Sequence, residues 1–219
     1  MVERPIHERL VRITHWINAA VFVALTLSGV AILTAHPRFY WGETGFFDTP
    51  AAFELPFDAI LDPLYIRAQG RNVHFLTAWL AVINGLAYAL WGIWTGHFLA
   101  RFAPDRSQLQ WTSIQAVIRR HLRLQNPHEE SGYNLLQKLA YTSVVFGLLP
   151  LVILSGLTMS PAVTAAFPQL FTLFGGRQSA RTFHFLLANI LVVFVLMHVF
   201  MVWLAGFRKG LMSMVGGKQ

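Results

Sequence analysis

The sequence contains no cysteine, which excludes disulfides, thiolate-held iron–sulfur clusters, cysteine zinc ribbons and covalently attached c-type haem. It is also poor in charge. Only 12% of its 219 residues are Asp, Glu, Lys or Arg, against roughly 25% in a soluble domain. So little charge leaves a water-facing globule uncovered, and with 55% hydrophobic residues and a mean hydropathy of +0.49 the chain is expected to be solvated by lipid. A formal net charge of +7 would suit nucleic acid. The basic residues, however, flank apolar segments instead of forming one patch, which is a membrane pattern and argues against a nucleic-acid partner.

Four stretches reach the roughly 20 mostly apolar residues that a helix needs to cross a bilayer: about 13–34, 73–99, 135–159 and 183–207. None contains an acidic residue, and Lys138 is the one basic residue inside them. The expected fold class is therefore an all-α integral membrane protein, a four-transmembrane-helix bundle forming a single domain over 1–219. Arg4, Arg9 and Arg12 before the first run also resemble a signal peptide, but the run is long for one and no convincing cleavage site follows. With both termini on one side, that side carries twelve Lys and Arg and the other carries five: Arg38, Arg67, Arg71, Arg177 and Arg181. The termini and the 101–132 loop are accordingly expected in the cytoplasm, and the 35–70 loop outside. The outer loop is rich in aromatics, Pro and Gly, so it should be ordered, as a lid on the bilayer surface or as a docking platform. The inner loop is amphipathic around Ile114–Leu124, as an interfacial helix would be. No sequence repeat is evident.

Five of the nine histidines fall within the spans; His97, at the end of the second and of least certain role, is read as an interfacial residue, and the four candidates are His15, His74, His184 and His198. An ionisable side chain at that depth is costly and marks a functional site by default. The expected topology sorts them by height. His74 and His184 open inward-running spans and lie toward the outside; His15 opens the outward-running first span and lies toward the cytoplasm. His198 follows His184 on one helix, four turns and about 21 Å deeper, on the same face. Zinc asks for more ligands than a pair of imidazoles supplies. Haem iron needs two axial ligands, and a bundle core is where such a cofactor sits. Two bis-histidine b-type haems, on His74 with His184 and on His15 with His198, fit these heights. Arg12, Arg71 and Arg181 each precede one of these histidines by three residues, on the ligand's face and one turn nearer water. That is where haem propionates would emerge, although arginines also snorkel at span ends.

The run Arg12-Ile-Thr-His15-Trp16-Ile-Asn, with Ser28-Gly29 at the far end of the first span and the fourteen-residue histidine interval of the fourth, resembles the bacterial di-haem cytochrome b561 family. These are the cytochrome b subunits of nickel–iron hydrogenases, formate dehydrogenases and thiosulfate reductases, and the resemblance extends over all four spans. Tyr40-Trp41-Gly42-Glu43-Thr44-Gly45 and Gly176-Arg177-Gln178-Ser179-Ala180-Arg181 are similar to cytochromes that accompany periplasmic molybdenum oxidoreductases. The resemblance implies the same two histidine pairs, residence in the bacterial inner membrane, and a quinone site beside the cytoplasmic-side haem at Asn134, Gln137 and Lys138. Leu136 stands where relatives often have glycine. A helix cap with a snorkelling lysine is the plainer reading of those three polar residues.

The function expected is electron transfer between the quinone pool and a periplasmic redox partner, a molybdenum oxidoreductase. Two alternatives stand beside it: a stand-alone cytochrome b oxidoreductase such as a superoxide:quinone oxidoreductase, and a haem-free transporter with histidines along its pathway. The transporter would want polar residues through the spans, and these are nearly absent.

Overall fold

The computed structural model describes residues 8–45, 49–56, 67–103, 110–113, 115, 119, 135–204 and 206–215. Four helical spans are long and apolar enough to cross a membrane, with mean hydropathies between 1.6 and 2.7 in their most apolar stretches. In lipid every backbone polar group must be satisfied within its own segment, so apolar runs of this length fold as helices. The first span is α1 (Arg9–Ala35) and the second is α2 (Arg67–Trp94). Between them β1 (Arg38–Phe39) pairs antiparallel with β2 (Phe53–Glu54), Arg38 opposite Glu54, and the two side chains form an ion pair at 3.1 Å. A short helix, α3 (His97–Phe102), follows α2. The third span comprises α4 (Leu135–Ser143), a π turn (Val144–Leu148) and α5 (Leu149–Thr158). Two short helices, α6 (Pro161–Ala166) and α7 (Gln169–Phe174), lead to the fourth span, α8 (Arg177–Leu204), and α9 (Phe207–Val215) closes the described chain.

Three features depart from expectation. The second and fourth helices begin about six residues earlier than their apolar runs, at Arg67 and Arg177, because helix geometry continues through an arginine-bearing turn beyond the apolar stretch. The second helix ends at Trp94 instead of near 99: Gly96 adopts φ +68°, the left-handed conformation that terminates helices, and α3 restarts beyond it. Gly206, at φ +106°, ends the fourth helix in the same way. The π turn of the third span has a local cause as well. Pro150 has no N–H for the Phe146 carbonyl one turn back, and the Leu149 N–H instead bonds Val144 O, five residues away. Of the expected 114–124 helix, residues 115 and 119 are helical and the rest lie outside the described residues.

The chain divides into two compact units, Met1–Ile13 with Ala87–Leu149 and Leu191–Gln219, and Thr14–Leu86 with Pro150–Ile190. The helices bury small or hydroxylated side chains and turn large apolar ones outward. In α1 the buried positions are Thr14, Val21, Ser28, Ala31 and Thr34, while Leu27 on that helix and Leu76 and Leu90 on α2 are about two-thirds exposed. That inverted distribution is what lipid selects, since association there depends on close backbone approach and polar contacts rather than on hydrophobic burial. In the second unit, Gly70 of α2 lies against α1 so closely that a Cβ would come within 2.8 Å of Ala31 Cβ. The buried Asn84 of α2 donates to the Thr14 carbonyl at 2.9 Å and to Asn18 Oδ1 at 2.8 Å, on either side of His15 in α1.

Candidate functional site

In the second unit, α2 and α8 deliver His74 and His184 to one place, with ring centres 6.1 Å apart and ring planes at 77°. Two imidazoles on opposite sides of one first-row metal ion, each nitrogen about 2.0 Å from it, have ring centres about 6 Å apart. The separation therefore fits a shared iron. Each ring is held by its other nitrogen. His184 Nδ1 lies 2.9 Å from the Val152 carbonyl and 3.2 Å from Ser155 Oγ, both on the third span. His74 Nδ1 lies 3.0 Å from Ser28 Oγ on α1. A carbonyl only accepts, so His184 Nδ1 carries the proton and its Nε2 keeps a lone pair for a metal. Among the described residues no group of three or more His, Asp or Glu is placed to hold a metal ion without a cofactor.

The other pair divides between the units. His15 belongs to the second, edge-on to Trp16 at 5.6 Å; His198 belongs to the first, stacked on Phe194 at 6.3 Å. His97, the span-end histidine of least certain role in the sequence, packs among Tyr88, Trp91, Phe98 and Phe102.

The three arginines meet different surroundings. Arg12 donates from Nη1 to the Val215 carbonyl at 3.3 Å, while its buried Nε has no hydrogen-bond partner among the described residues, a donor suited to a propionate. Arg71 stands over the Phe75 ring at 5.6 Å. Arg181 is turned onto the chain itself: its guanidinium donates to the His36 carbonyl and, at 3.0 Å, to the Arg38 carbonyl, and covers the Phe39 ring at 4.8 Å. Those partners lie 143 or more residues away in sequence, and only the folded chain shows them.

Arg181 belongs to a clamp that joins the two motifs singled out in the sequence, Tyr40–Gly45 and Gly176–Arg181. The Gly42 carbonyl accepts from the Gln178 and Ser179 backbone N–H groups, capping the start of α8. The Gly42 N–H donates to Ser179 Oγ at 2.7 Å, and Thr182 Oγ1 donates to the Tyr40 carbonyl at 2.8 Å. Phe39, almost fully buried, stacks on Phe53 at 4.6 Å and packs on Phe185 at 4.6 Å; Trp41 meets Phe183 edge-on at 5.5 Å. Residues 39–42 of the 35–70 segment are thus fastened to the helical turns that carry His184.

The clamp also sets the charge at His36. Partial burial lowers its imidazole below the ordinary 6.5, and the positive Arg181 and Arg71 lower it further. As the pH falls below 6.5, an unfolded chain takes up this proton before the folded one does. The contribution of His36 to stability is therefore full above 6.5 and is lost as the pH drops toward its folded value. Replacing Arg71 by glutamine should raise the pH at which His36 titrates, read from its ring resonances by NMR in detergent; an unchanged titration would leave burial and Arg181 to set it.

Of the expected quinone residues, Lys138 and Gln137 stand on the first turn of α4; Asn134 lies outside the described residues. Lys138 is buried and donates to the Ala103 carbonyl, just past the end of α3, at 3.0 Å. The functional residues that sequence reasoning left without a role are Ser28, Gly29, Ser155 and Gly156. Their one visible signal was a Ser-Gly pair in the first span and another in the third.

The family model of prokaryotic cytochrome b561 matches residues 6–217. A protein of Azospira oryzae named as a protein-methionine-sulfoxide reductase subunit is 32% identical over 97% of this chain and 96% of its own length. A protein of Cupriavidus necator named as a nickel–iron hydrogenase B-type cytochrome subunit is 24% identical over 95% of this chain and 80% of its own. A protein of Azotobacter chroococcum with the same name is 26% identical over 97% and 86%. No solved structure matches the chain.

Proposed function

From the chain's membership of the prokaryotic cytochrome b561 family, we propose that it is the electron-transfer subunit of a larger inner-membrane oxidoreductase, holding two b-type haems and linking the quinone pool to a redox partner outside. A cytochrome of this family binds b-type haem and moves electrons within the membrane. When bound, haem supplies the one-electron chemistry; the chain supplies ligands, burial and counter-charge. The observation that carries the reading is the His74–His184 pair, 6.1 Å apart with both Nδ1 atoms turned away toward acceptors. His15 and His198 hold the second haem, on the strength of the fourteen-residue interval between His184 and His198 and the matching height of His15. Arg12 offers a buried donor to a propionate.

Gln137 and Lys138, with Asn134 beside them in sequence, offer donors to a quinone's oxygens at the cytoplasmic end. The partner is a reductase of the periplasmic molybdenum type that the resemblance implies. The relative named for methionine sulfoxide reduction, 32% identical against 24–26% for the hydrogenase cytochromes, favours a reductase over a hydrogenase. Electrons then run outward. Oxidising one quinol to quinone releases two electrons and two protons, the same numbers that reduce a sulfoxide to a sulfide and water.

The test is a pyridine haemochrome assay on the detergent-solubilised chain made with ample haem supply, followed by reduction with duroquinol. The expected result is about two b-type haems per chain, reduced by the quinol, with Lys138→Ala slowing that reduction by about tenfold, a barrier increase of about 1.4 kcal/mol. A folded chain without haem would overturn the electron-transfer reading. Haem that duroquinol does not reduce would overturn the quinone link alone.

A further inference from the structure

The two histidines of the described pair are held by one device, built twice. Ser28-Gly29 on the first span faces His74 on the second, and Ser155-Gly156 on the third faces His184 on the fourth. In both copies the serine hydroxyl bonds back to its own helix: Ser28 to the Ala24 carbonyl at 2.7 Å and Ser155 to the Val152 carbonyl at 2.9 Å. That bond uses the hydroxyl proton, so each serine oxygen meets the imidazole as an acceptor of the Nδ1 proton. For His184 a second acceptor is the carbonyl three residues before the serine, that of Val152, at 2.9 Å. In both the following glycine lies against the ring: a Cβ on Gly29 would stand 3.7 Å from His74 Cε1, and one on Gly156 only 3.2 Å from His184 Cε1. Ser155 is fully buried and Ser28 nearly so.

We propose that Ser28 and Ser155 are positioning residues that fix the rotation of the two imidazole planes, and through it the electronic character of the haem they share. The inference rests on the reading of His74 and His184 as axial ligands. An unanchored ring can turn about its Cβ–Cγ bond. A serine acceptor on the facing helix, with the next glycine's bare Cα against Cε1, restricts that turn in both copies. The planes then stand at 77°, nearly perpendicular. In low-spin ferric haem the angle between axial imidazole planes governs the splitting of the iron d orbitals and hence the anisotropy of the EPR signal. Hydrogen bonding at Nδ1 also governs how strongly each ligand donates, and so the midpoint potential.

The experiment uses the haem-loaded full chain in detergent, with haem content, EPR of the oxidised form and a redox titration measured on each variant. The double variant Ser28→Ala with Ser155→Ala should keep the wild-type haem content, shift the g-values of one of the two low-spin signals and move one midpoint potential, leaving the other signal and potential in place. Ser28→Ala alone carries the same expectation in weaker form, should the double variant yield too little folded chain. Gly156→Ala should disturb the same signal and Gly29→Ala should not, because only the former brings a methyl group inside ordinary contact distance of the ring. Unchanged g-values and potentials in a fully loaded double variant would overturn the proposal, as would a shift confined to the other haem. Failure of the axial reading itself looks different: both signals would then persist in His184→Ala.

Discussion

Replacing His184 by alanine should halve the haem content, from about two to about one b-type haem per chain. One EPR signal and one wave of the redox titration should disappear, and the other of each should remain. The geometry leaves no substitute ligand. Among the described residues no third His, Asp or Glu stands with His74 and His184 to take the place of either. Removing one imidazole would leave a single candidate ligand, fixed to a different helix, to hold the haem. His74→Ala should give the same result if, as proposed, the two rings 6.1 Å apart serve one centre. His15→Ala and His198→Ala should each remove the complementary signal. His97→Ala should remove neither, because that ring sits in a cluster with Tyr88, Trp91, Phe98 and Phe102. The pyridine haemochrome assay reads the stoichiometry, and imidazole added to His184→Ala should restore part of the lost signal. If His74→Ala and His184→Ala abolished different signals, the pairing would be wrong.

Replacing Gly176 by alanine should cost the most stability of any glycine-to-alanine change in the clamp. The residue holds φ +106°, a conformation L-residues rarely adopt, and its Cα lies against backbone: a Cβ would stand 2.5 Å from both Gly42 C and Gly42 O and 2.8 Å from Glu43 N. No side-chain rotation relieves such a contact. Either the 36–45 segment lifts away or the start of α8 unwinds. In either case the cap from the Gly42 carbonyl to Gln178 and Ser179 is lost, along with the Gly42–Ser179 bond. Conformational strain and the lost bonds together amount to about 3 kcal/mol, which for a chain of this size lowers the unfolding midpoint by roughly 6–12 °C. Thermal unfolding in detergent, followed by circular dichroism, measures it. Gly85→Ala is the control: it lies inside α2 with nothing within 4 Å of its Cβ position, and alanine there should be neutral or stabilise by up to about 1 kcal/mol. Equal midpoints for the two variants would show that the clamp contributes nothing.

Much of this molecule is legible in its composition, for one physical reason. A chain in lipid must satisfy its backbone hydrogen bonds locally, so a run of about 20 apolar residues specifies its own helix whatever its neighbours do. The four spans, their histidines and the fourteen-residue spacing of His184 and His198 follow from that rule, and so does the common height of His74 and His184, which the structure brings together. The local exceptions also have sequence causes that composition conceals. Pro150 underlies the π turn, and Gly96 ends the second helix before its apolar run does.

What the tertiary structure decided is how each helix is rotated and which side chains it presents to its neighbours. Hydropathy does not encode rotation here, because many large apolar side chains face outward and the buried positions of the spans are mostly serine, threonine, glycine and alanine, so no apolar stripe marks an inner face. Arg181, equally suited by sequence to a propionate, is taken by the carbonyls of His36 and Arg38. Gly42 and Gly176 meet across a long stretch of chain because Gly176 lacks the Cβ that would part them. Ser28-Gly29 enters the sequence resemblance without a role and Ser155-Gly156 has no sequence signal beyond the repeated pair; only the packing sets both of them against histidines. Local backbone chemistry fixed the helices; long-range contacts between small and polar side chains fixed the site.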